Sequence, residues 1–446
     1  MTTPDLSIQP PQSRNGNRVK VLALVAMCSM YFLSYFHRAA VPGPLFDRIQ
    51  SELETSASAV TALGAIFLYI YAGAQLFAGM AADRFGGRRT LLAGGLVMCI
   101  GGLAFPFAPS LPTLLAARAL TGLGASFMYL SIVKEIDTLW GPKHFAAILG
   151  AALFAGYSGG LAATVPLGLL TKAADSWRTP LVWAGLLSAV SLIATWLLLR
   201  RLARPTHTGN RFPLRALLDI VRNRRSRPLL LVSLINFPVY FLFPTAMGTK
   251  FLKDFLHYDS TTASSFVLVM MATSASCVFF AGPLLHLTAH RRRPHMIAAS
   301  ALVMLSPLVM LWGVVNDAPP WLFLVCFVLL AVSTGSGPAY ASTMKELNQS
   351  GTVSLSIAVS NCAAYVGLAV LANVAGVILD AFRGHALVTA AGTVYPKEAY
   401  AVLFAILAAL GLVSLTLAAF IPETRGDAQC PGPSQDLKDE FLQAKE

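Results

Sequence analysis

Twelve long apolar runs, separated by short polar connections, make up most of this chain. Each run is about as long as the roughly 20 residues that an α-helix needs to cross a bilayer. None has the alternation over about 10 residues that marks a membrane β-strand. The pattern predicts an all-α membrane protein with twelve transmembrane helices, here called spans 1 to 12. Their predicted ranges are 21–41, 59–80, 90–108, 112–136, 146–170, 180–199, 229–248, 264–285, 295–315, 320–343, 353–377 and 399–420.

Composition agrees with this class and excludes a soluble globular protein. The 446 residues are 56% hydrophobic and 12% charged, whereas soluble domains carry about 25% charged residues. The net charge of +12 would suggest a nucleic-acid partner in a soluble protein. In a membrane protein its placement reports topology instead, so we expect the lipid membrane and no nucleic acid as a partner.

The basic residues of the connections are distributed unequally between the two sides of the membrane. Nineteen Lys and Arg residues fall on the side of the N-terminus and seven on the other side. By the positive-inside rule, this predicts a multi-pass protein of a plasma membrane, of the bacterial inner-membrane type, with both termini cytoplasmic. The central connection combines arginines with apolar residues and predicts an amphipathic surface helix. The predicted segments are an N-terminal tail 1–20, a six-helix bundle 21–199, a basic linker 200–228, a second six-helix bundle 229–420 and a C-terminal tail 421–446.

The two halves of the chain carry an internal repeat. The pattern G-x4-Y-x-S-x2-K-E occurs in spans 4 and 10, with corresponding residues 211 positions apart. A weaker echo links the stretch 79–89 to 282–292. Internal repeats of this kind are typical of transporters that bind substrate between their halves, near the bilayer midplane. The repeated residues are Gly124, Tyr129, Ser131, Lys134 and Glu135, then Gly335, Tyr340, Ser342, Lys345 and Glu346.

The connection between spans 2 and 3 contains an ordered motif from Gly79 to Arg89. Its glycine pair at 86–87 lets two helices approach closely. Asp83 can cap a helix end and pair with Arg84, Arg88 or a neighbouring helix. Such a pair can lock one conformation, so Asp83, Arg84 and Arg88 are predicted gating residues. The alternative is a plain basic turn that only sets topology.

This motif resembles the G-x3-D-R-x-G-[RG]-[RK]-[RK] loop of the major facilitator superfamily and lies between the same two spans. The resemblance covers nearly the whole chain. It implies two six-helix bundles, secondary active transport of a small molecule, a co-transported proton or cation as a further partner, and a monomer. No cofactor and no metal are expected. Further matches are Arg118-x3-Gly122-x-Gly124, Trp177-Arg178 and Pro422-Glu423-Thr424.

Arg38, beside His37, is a charged residue within span 1. A charge at the centre of a span costs about 2.5–3.5 kcal/mol on insertion scales, so it indicates a function by default. Tyr35 before it and Pro44 after it resemble the anion:cation symporter and organophosphate:phosphate antiporter branches of the family. That resemblance implies an anion bound by Arg38 in a central cavity. The alternative is that Arg38 snorkels to the outer surface.

Departures from those branches narrow the predicted substrate. His37 and Ser126 stand where the symporters have acidic residues, and Phe243 stands where the antiporters have a second cation. We therefore expect a singly charged acid or a zwitterion rather than a doubly charged phosphate ester. His37 is the intramembrane candidate for proton coupling because imidazole titrates near neutral pH. The alternative for His37 is an interfacial histidine that is hydrogen-bonded to backbone.

Two further groups of polar residues complete the predicted site. The pairs Lys134–Glu135 and Lys345–Glu346 are expected to have cross-helix partners and to form a cytoplasmic gate, with snorkelling as the alternative. Arg118 is grouped with these gating residues as part of a network in span 4. The cavity shortlist holds polar residues inside the spans, about half of which should face the pathway while the others join helices. Besides Arg38 and His37 it contains Tyr69, Tyr71, Gln75, Tyr129, Tyr157, Asn236, Tyr240, Tyr340, Asn361 and Tyr365.

Three functions remain open on this evidence. The leading one is secondary active transport, by alternating access, of a small organic anion or zwitterion such as a carboxylate metabolite, coupled to protons or counter-substrate. The second is a drug or metabolite exporter, which the aromatic shortlist would suit. The third is a non-transporting membrane sensor. Paired carboxylates, His/Cys metal spacing, G-x-S-x-G and phosphate loops do not occur at membrane depth, so no enzyme is expected.

Overall fold

The protein is a bundle of α-helices, and its longer helices have the length needed to cross a membrane. The computed structural model describes residues 14–42, 45–55, 57–202, 214–288, 290–389 and 392–426. Most of the two predicted tails, and residues 203–213 of the predicted linker, lie outside the described residues. Twelve helical segments are long and apolar enough to cross a membrane. The predicted number of spans is therefore confirmed.

The α-helices of the described residues follow one another with short connections. They are α1 Arg14–Ala40, α2 Phe46–Glu52, α3 Ala57–Phe85, α4 Gly87–Ala104, α5 Leu111–Ala162, α6 Val165–Ala173, α7 Arg178–Leu199, α8 Leu214–Arg222, α9 Arg227–Leu242, α10 Gly248–Phe255, α11 Ser260–Leu287, α12 Arg293–Val315, α13 Pro320–Ser333, α14 Gly337–Glu346, α15 Val353–Ala381 and α16 Lys397–Ala418. Spans 1 to 12 are formed by α1, α3, α4, the two parts of α5, α7, α9, α11, α12, α13 with α14, α15 and α16.

Two helix breaks have local causes: the first falls in the predicted connection between spans 4 and 5, and the second ends span 5 earlier than predicted. Spans 4 and 5 meet within α5 at Gly141, where φ is +66°, a conformation that glycine adopts without the penalty of a Cβ. Span 5 was predicted to reach residue 170 but ends at Ala162. Pro166 has no N–H to donate to the Ala162 carbonyl, so a continuous helix cannot form there. The chain resumes as α6 after this break.

Span 7 and the connection after span 11 also contain local features that the hydrophobic pattern did not predict. The helix α9 ends at Leu242 and passes through a π-turn, Phe243–Met247, before α10 begins. This turn contains Pro244, which again lacks a backbone donor. A short antiparallel hairpin, β1 Leu387–Thr389 and β2 Gly392–Val394, lies between spans 11 and 12.

The two halves, spans 1–6 and spans 7–12, meet along two equivalent pairs of spans. A Cβ on Gly79 of span 2 would lie 2.6 Å from the Cβ of Ala358 in span 11. A Cβ on Gly282 of span 8 would lie 2.3 Å from the Cα of Ala147 in span 5. Gly79 and Gly282 are corresponding positions of the weaker sequence echo. Small residues permit such close backbone approach between membrane helices, so the same contact is built twice.

One end of the bundle collects the basic connections, and we call it the basic face. It carries the starts of spans 3, 7 and 9, and the linker helix α8 lies on it. Ile220 of α8 is buried against the bundle, whereas Leu218 and Val221 are exposed beside arginines. This is the arrangement expected of an amphipathic surface helix. The other end of the bundle is called the opposite face.

Candidate functional site

A cavity of about 150 Å³ lies between the two halves near the middle of the spans. Spans 1, 2, 4 and 5 contribute its lining from the first half, and spans 7, 8, 10 and 11 contribute from the second. The lining is aromatic and rich in hydrogen-bonding groups. Its polar residues are Tyr31, Tyr35, Tyr71, Tyr129, Tyr157, Ser233, Asn236, Thr334, Tyr340, Ser360, Asn361 and Tyr365.

Arg38 lies beside this cavity, and its guanidinium packs among aromatic rings, three of which belong to the cavity lining. Side chains on a helix lean toward its N-terminus, so Arg38, near the end of span 1, reaches back to the level of the cavity tyrosines. Its Cζ lies 5.1–5.6 Å from the ring centres of Tyr35, Tyr71, Phe241 and Tyr365. The alternative in which Arg38 snorkels to the outer surface is therefore wrong.

The Arg38 guanidinium keeps hydrogen-bonding capacity beyond its contacts with the protein. Nη1 donates to the hydroxyl of Tyr365 at 2.7 Å, across the boundary between the halves. Nη2 is buried and has no hydrogen-bond partner among the described residues. The surrounding rings stabilise the cation through their π faces. No carboxylate pairs with Arg38 in the described ranges, so its charge can accept an anionic group.

The three amide side chains on the shortlist, Gln75, Asn236 and Asn361, have different roles around the cavity. Asn361 donates to Oε1 of Gln75 at 2.8 Å across the halves, and Gln75 donates to the Ser126 carbonyl at 3.2 Å. Asn236 lies within the second half and donates to the hydroxyl of Tyr340 at 3.0 Å. Gln75 thus supports Asn361, while Asn236 orients Tyr340.

Five of the predicted residues are not part of the cavity lining. Arg38 and Gln75 contact the lining residues Tyr365 and Asn361 from behind, and three others lie away from the cavity. Tyr69 is 72% exposed on the outside of span 2. Tyr240 is buried within the second half, where its hydroxyl accepts from Ser274 at 2.7 Å. His37 is buried against span 6, with Nε2 3.1 Å from the hydroxyl of Ser188. Because each points away from the cavity, their predicted placement in the substrate path is corrected.

Tyr31 and Tyr35 line the cavity although neither was on the shortlist. With Arg38 they follow the spacing i, i+4, i+7, which places side chains on one face of a helix. That spacing is the signal by which they could have been predicted. Their rings are 5.1 Å apart, and Tyr31 also stacks on Tyr129 at 6.0 Å. Across the described residues, no group of three or more His, Cys, Asp or Glu side chains could hold a metal ion.

At the basic face, Asp83 joins span 2 to both span 4 and span 11. Its carboxylate pairs with Nζ of Lys134 at 2.9 Å. It also accepts the backbone N–H groups of Ser354 at 3.1 Å and Leu355 at 2.7 Å. These N–H groups belong to the first turn of span 11, where the helix dipole favours a negative charge. Asp83 thus caps a helix of the other half.

The other predicted residues of the first-half gate lie beside Asp83. Glu135 is buried against the start of span 3, where a Cβ on Gly87 would lie 2.9 Å from its Oε1. The guanidinium of Arg84 lies over the ring of Phe85, 5.1 Å from its centre. Arg88 follows within the first turn of span 3.

The repeated Lys–Glu pair of span 10 has partners on other spans. Lys345 pairs with Asp137 of the first half, an acid three residues after Lys134 that was not predicted. Glu346 pairs with Nη2 of Arg292 at 2.6 Å, at the start of span 9. Burial lowers the pKa of Arg292, and the carboxylates of Glu346 and Glu423 act in the opposite direction. Because Lys345 belongs to the second half and Asp137 to the first, their ion pair is a second contact between the halves.

Arg118 makes its polar contacts within the first half and is not part of a gate between halves. Its guanidinium donates to the carbonyls of His37 at 2.6 Å, Val41 at 3.0 Å and Leu63 at 3.1 Å. It also lies 4.6 Å from the ring centre of Phe67. Three carbonyl acceptors satisfy this buried cation, so Arg118 fixes the end of span 1 against span 2. Its grouping with the gating residues is corrected.

Comparison with known sequences supports the family that the motif between spans 2 and 3 resembles. The model of the Major Facilitator Superfamily matches residues 27–366. The probable sulfoacetate transporter SauU of Cupriavidus necator is 30% identical over 186 residues, which is 39% of this chain and 40% of that protein. The cephamycin export protein CmcT of Amycolatopsis lactamdurans is 30% identical over 165 residues, 36% of this chain and 33% of that protein. The matches thus span less than half the length of these relatives.

A solved structure has the same fold over most of its length. The proton:xylose symporter XylE, bound to 6-bromo-6-deoxy-D-glucose, superimposes with a TM-score of 0.68 at 14% identity. The match covers 93% of this chain and 98% of that one. The predicted fold class of twelve transmembrane helices in two six-helix bundles is confirmed. The chain belongs to the major facilitator superfamily, a family of transporters and not of enzymes.

Proposed function

We propose that this transporter moves a small singly charged organic anion or a zwitterion, such as a carboxylate metabolite, by alternating access. The observation that carries the proposal is Nη2 of Arg38, which is buried beside the residues that line the central cavity and has no hydrogen-bond partner among the described residues. A guanidinium binds a carboxylate or sulfonate through parallel N–H donors. The similarity to a probable sulfoacetate transporter supports an anionic substrate. Transport is coupled to protons or to a counter-substrate.

The size and lining of the cavity favour a small substrate. Its volume of about 150 Å³ lies below the roughly 300–1,000 Å³ of pockets that take drug-sized ligands. Arg38 binds the anionic group, and the hydroxyls of Tyr35 and Tyr365 with the amide of Asn361 offer hydrogen bonds to the remainder of the molecule. Tyr71, Tyr129, Tyr157, Asn236 and Tyr340 complete the proposed binding site.

The basic face is proposed to face the cytoplasm of a bacterial inner membrane, because basic connections remain on that side. The bundles 21–199 and 229–420 rock about the central site, joined by the linker 200–228. Asp83 with the backbone N–H groups at the start of span 11, and Lys345 with Asp137, hold the halves together at this face. Both contacts have to separate when the cavity opens to the cytoplasm.

Flux measurements in reconstituted vesicles test the role of Arg38. We expect the wild type to take up a labelled short monocarboxylate. Arg38→Ala should lose about 30-fold to 1,000-fold in transport efficiency, because truncating one partner of a buried charge pair costs about 2–4 kcal/mol. Arg38→Lys keeps the charge without the planar fork and should give an intermediate rate. Unchanged transport in Arg38→Ala would contradict the assignment.

The matched control removes an arginine that lies far from the cavity. Arg200 is exposed at the end of span 6, where its guanidinium lies 4.7 Å from the ring centre of Trp196. Arg200→Ala should transport at the wild-type rate. An equal loss in both variants would show that general charge, rather than the central site, governs the flux.

An exporter of a larger compound is the second candidate. Seven tyrosines in the cavity lining and the similarity to a cephamycin export protein favour it. Cells that express an exporter accumulate less of its substrate, so lowered accumulation of a cephamycin-type compound would support this candidate. Unchanged accumulation of that compound, together with flux of small anions in vesicles, would exclude the exporter and support transport of a small anion.

A further inference from the structure

A second cavity, a groove of about 630 Å³, opens on the basic face beside the start of span 9 and the end of span 12. It is separate from the central cavity and shares no lining residue with it. Three exposed arginines, Arg291, Arg293 and Arg425, line the groove together with the apolar residues Ile297 and Ala298. The groove therefore combines a cationic rim with an apolar floor.

The one acidic side chain in this lining, Glu423, is already bound by the protein. Its carboxylate accepts the backbone N–H of Arg292 at 2.8 Å and of Arg293 at 3.1 Å, at the first turn of span 9. The helix N-terminus stabilises this negative charge, which offsets one of the three arginine charges of the lining. Arg293 also donates a hydrogen bond from Nη2 to the carbonyl of Ala419. This bond uses one of the five N–H donors of its guanidinium, so the others stay available to a ligand. The groove keeps a net positive charge.

The groove lies where the surface of the bundle changes from apolar to basic. Arg293 begins span 9, and Ile297 lies one turn further along that helix. Near the groove, at the end of span 12, Phe420 directly follows Ala419, which accepts a hydrogen bond from Arg293, and is 74% exposed. Basic residues at the ends of spans lie at the depth of lipid phosphates, and the adjoining apolar residues contact acyl chains.

We propose that this groove binds the phosphate-bearing headgroup of an anionic phospholipid. Arg291, Arg293 and Arg425 contact the phosphate, and Ile297 and Ala298 contact the first part of the lipid tail. A soluble phosphate compound would lose its full translational freedom on binding in so open a groove, whereas a lipid is already confined to the interface by its chains. The lipid is therefore the better fit. This proposal is independent of the transported substrate.

Native mass spectrometry of the purified full chain, titrated in detergent with phosphatidylglycerol or with phosphatidylcholine, tests the proposal. The wild type should bind one phosphatidylglycerol in clear preference to phosphatidylcholine. The double variant Arg291→Gln/Arg425→Gln should bind phosphatidylglycerol about 30-fold more weakly, since each basic residue near a lipid surface contributes on the order of a fivefold gain. The single variant Arg425→Gln should lose about fivefold and tests the groove if the double variant does not fold.

The double variant Arg18→Gln/Arg89→Gln is the matched control. It removes two exposed arginines of the basic face in the first half, with the same change in net charge. It should keep the wild-type preference. An equal loss in both double variants, or equal wild-type affinity for the two lipids, overturns the site. Displacement of phosphatidylglycerol by an equal concentration of inorganic phosphate overturns the lipid as its occupant.

Discussion

Arg38 has a buried charge that is surrounded by rings and one hydroxyl instead of a carboxylate. The hydroxyl belongs to Tyr365 of span 11, so the bond from Nη1 crosses between the halves at the proposed anion site. The Tyr365 ring also lies 5.4 Å from the ring of Tyr71 and 5.5 Å from that of Phe237. Tyr365 therefore both orients the guanidinium and closes one side of the cavity.

The variant Tyr365→Phe isolates the contribution of this hydroxyl. We expect the KM for the anion to rise about tenfold, because a hydrogen bond to a charged group contributes about 1.5–3 kcal/mol and the ring packing is kept. Initial rates over a range of substrate concentrations measure it. Tyr69→Phe removes a hydroxyl from the exposed face of span 2 and should leave KM unchanged. An unchanged KM in Tyr365→Phe would contradict the role.

At the scale of elements, the contact between spans 2 and 11 depends on the absence of a side chain at Gly79. A Cβ there would lie 2.6 Å from the Cβ of Ala358 and 3.0 Å from the carbonyl oxygen of Ser354. Four residues further on, Asp83 caps the first turn of span 11. Steric fit and electrostatics therefore act on the same helix end.

Gly79→Val should separate the halves at the basic face. Overpacking of this kind costs about 1–3 kcal/mol. Because the added side chain clashes only while spans 2 and 11 are in contact, it destabilises the closed arrangement. The conformational equilibrium therefore moves toward the arrangement that is open at this face. Distances between spin labels on the two halves measure the shift, and transport should slow. The control is Gly73→Val in the same span, where nothing lies within 4 Å of the added Cβ. A similar shift in both variants would argue for a loss of helix stability instead.

For the whole molecule, the polar contacts between the halves form a series from the centre to the basic face. Arg38 with Tyr365 and Gln75 with Asn361 lie at the cavity. Asp83 with the start of span 11, and Asp137 with Lys345, lie progressively nearer the surface. The described arrangement is therefore closed at the basic face. Its stability relative to an arrangement open there depends on these contacts.

A charge exchange at the outermost pair tests this dependence. Asp137→Lys and Lys345→Asp should each drive the halves apart at the basic face, because each places like charges together. The double exchange should restore most of the closure, with a coupling energy of about 0.5–3 kcal/mol between the two sites. The same spin-label distances report it. Additive effects of the two exchanges would contradict a direct pair.

Prediction from sequence succeeded where a local property decides the outcome. The number of spans follows from the length of apolar runs. The position of Arg38 inside the bundle, rather than at the outer surface, agrees with the cost of a charge in a bilayer. Helix geometry could also have separated Tyr69 from Tyr71, since two residues turn the side chain by about 200°. Spacing alone therefore predicts that Tyr69 points outward when Tyr71 and Gln75 point inward.

Long-range contacts were the part that the sequence did not predict. The repeat suggested that Lys345 has a cross-helix partner, but nothing near it indicates Asp137, 208 residues away. Likewise, Arg118 and Arg38 are both arginines inside spans, so the sequence does not distinguish their roles. The packing of spans 1, 2 and 4 gives Arg118 three carbonyl acceptors, which Arg38 lacks. Burial of a cation was predictable, whereas its partners depend on the tertiary arrangement.

The bond from Arg118 to the carbonyl of His37 has a thermodynamic consequence for transport. That carbonyl belongs to the peptide bond that precedes Arg38, so the proposed anion anchor is fixed within the frame of the first half. As the halves rock, only the second half changes the surroundings of a bound anion. A ligand drives a conformational change only through its different affinity for the two states. The ratio of affinities on the two sides of the membrane therefore depends on residues such as Tyr365 and Asn361, while Arg38 raises both affinities together.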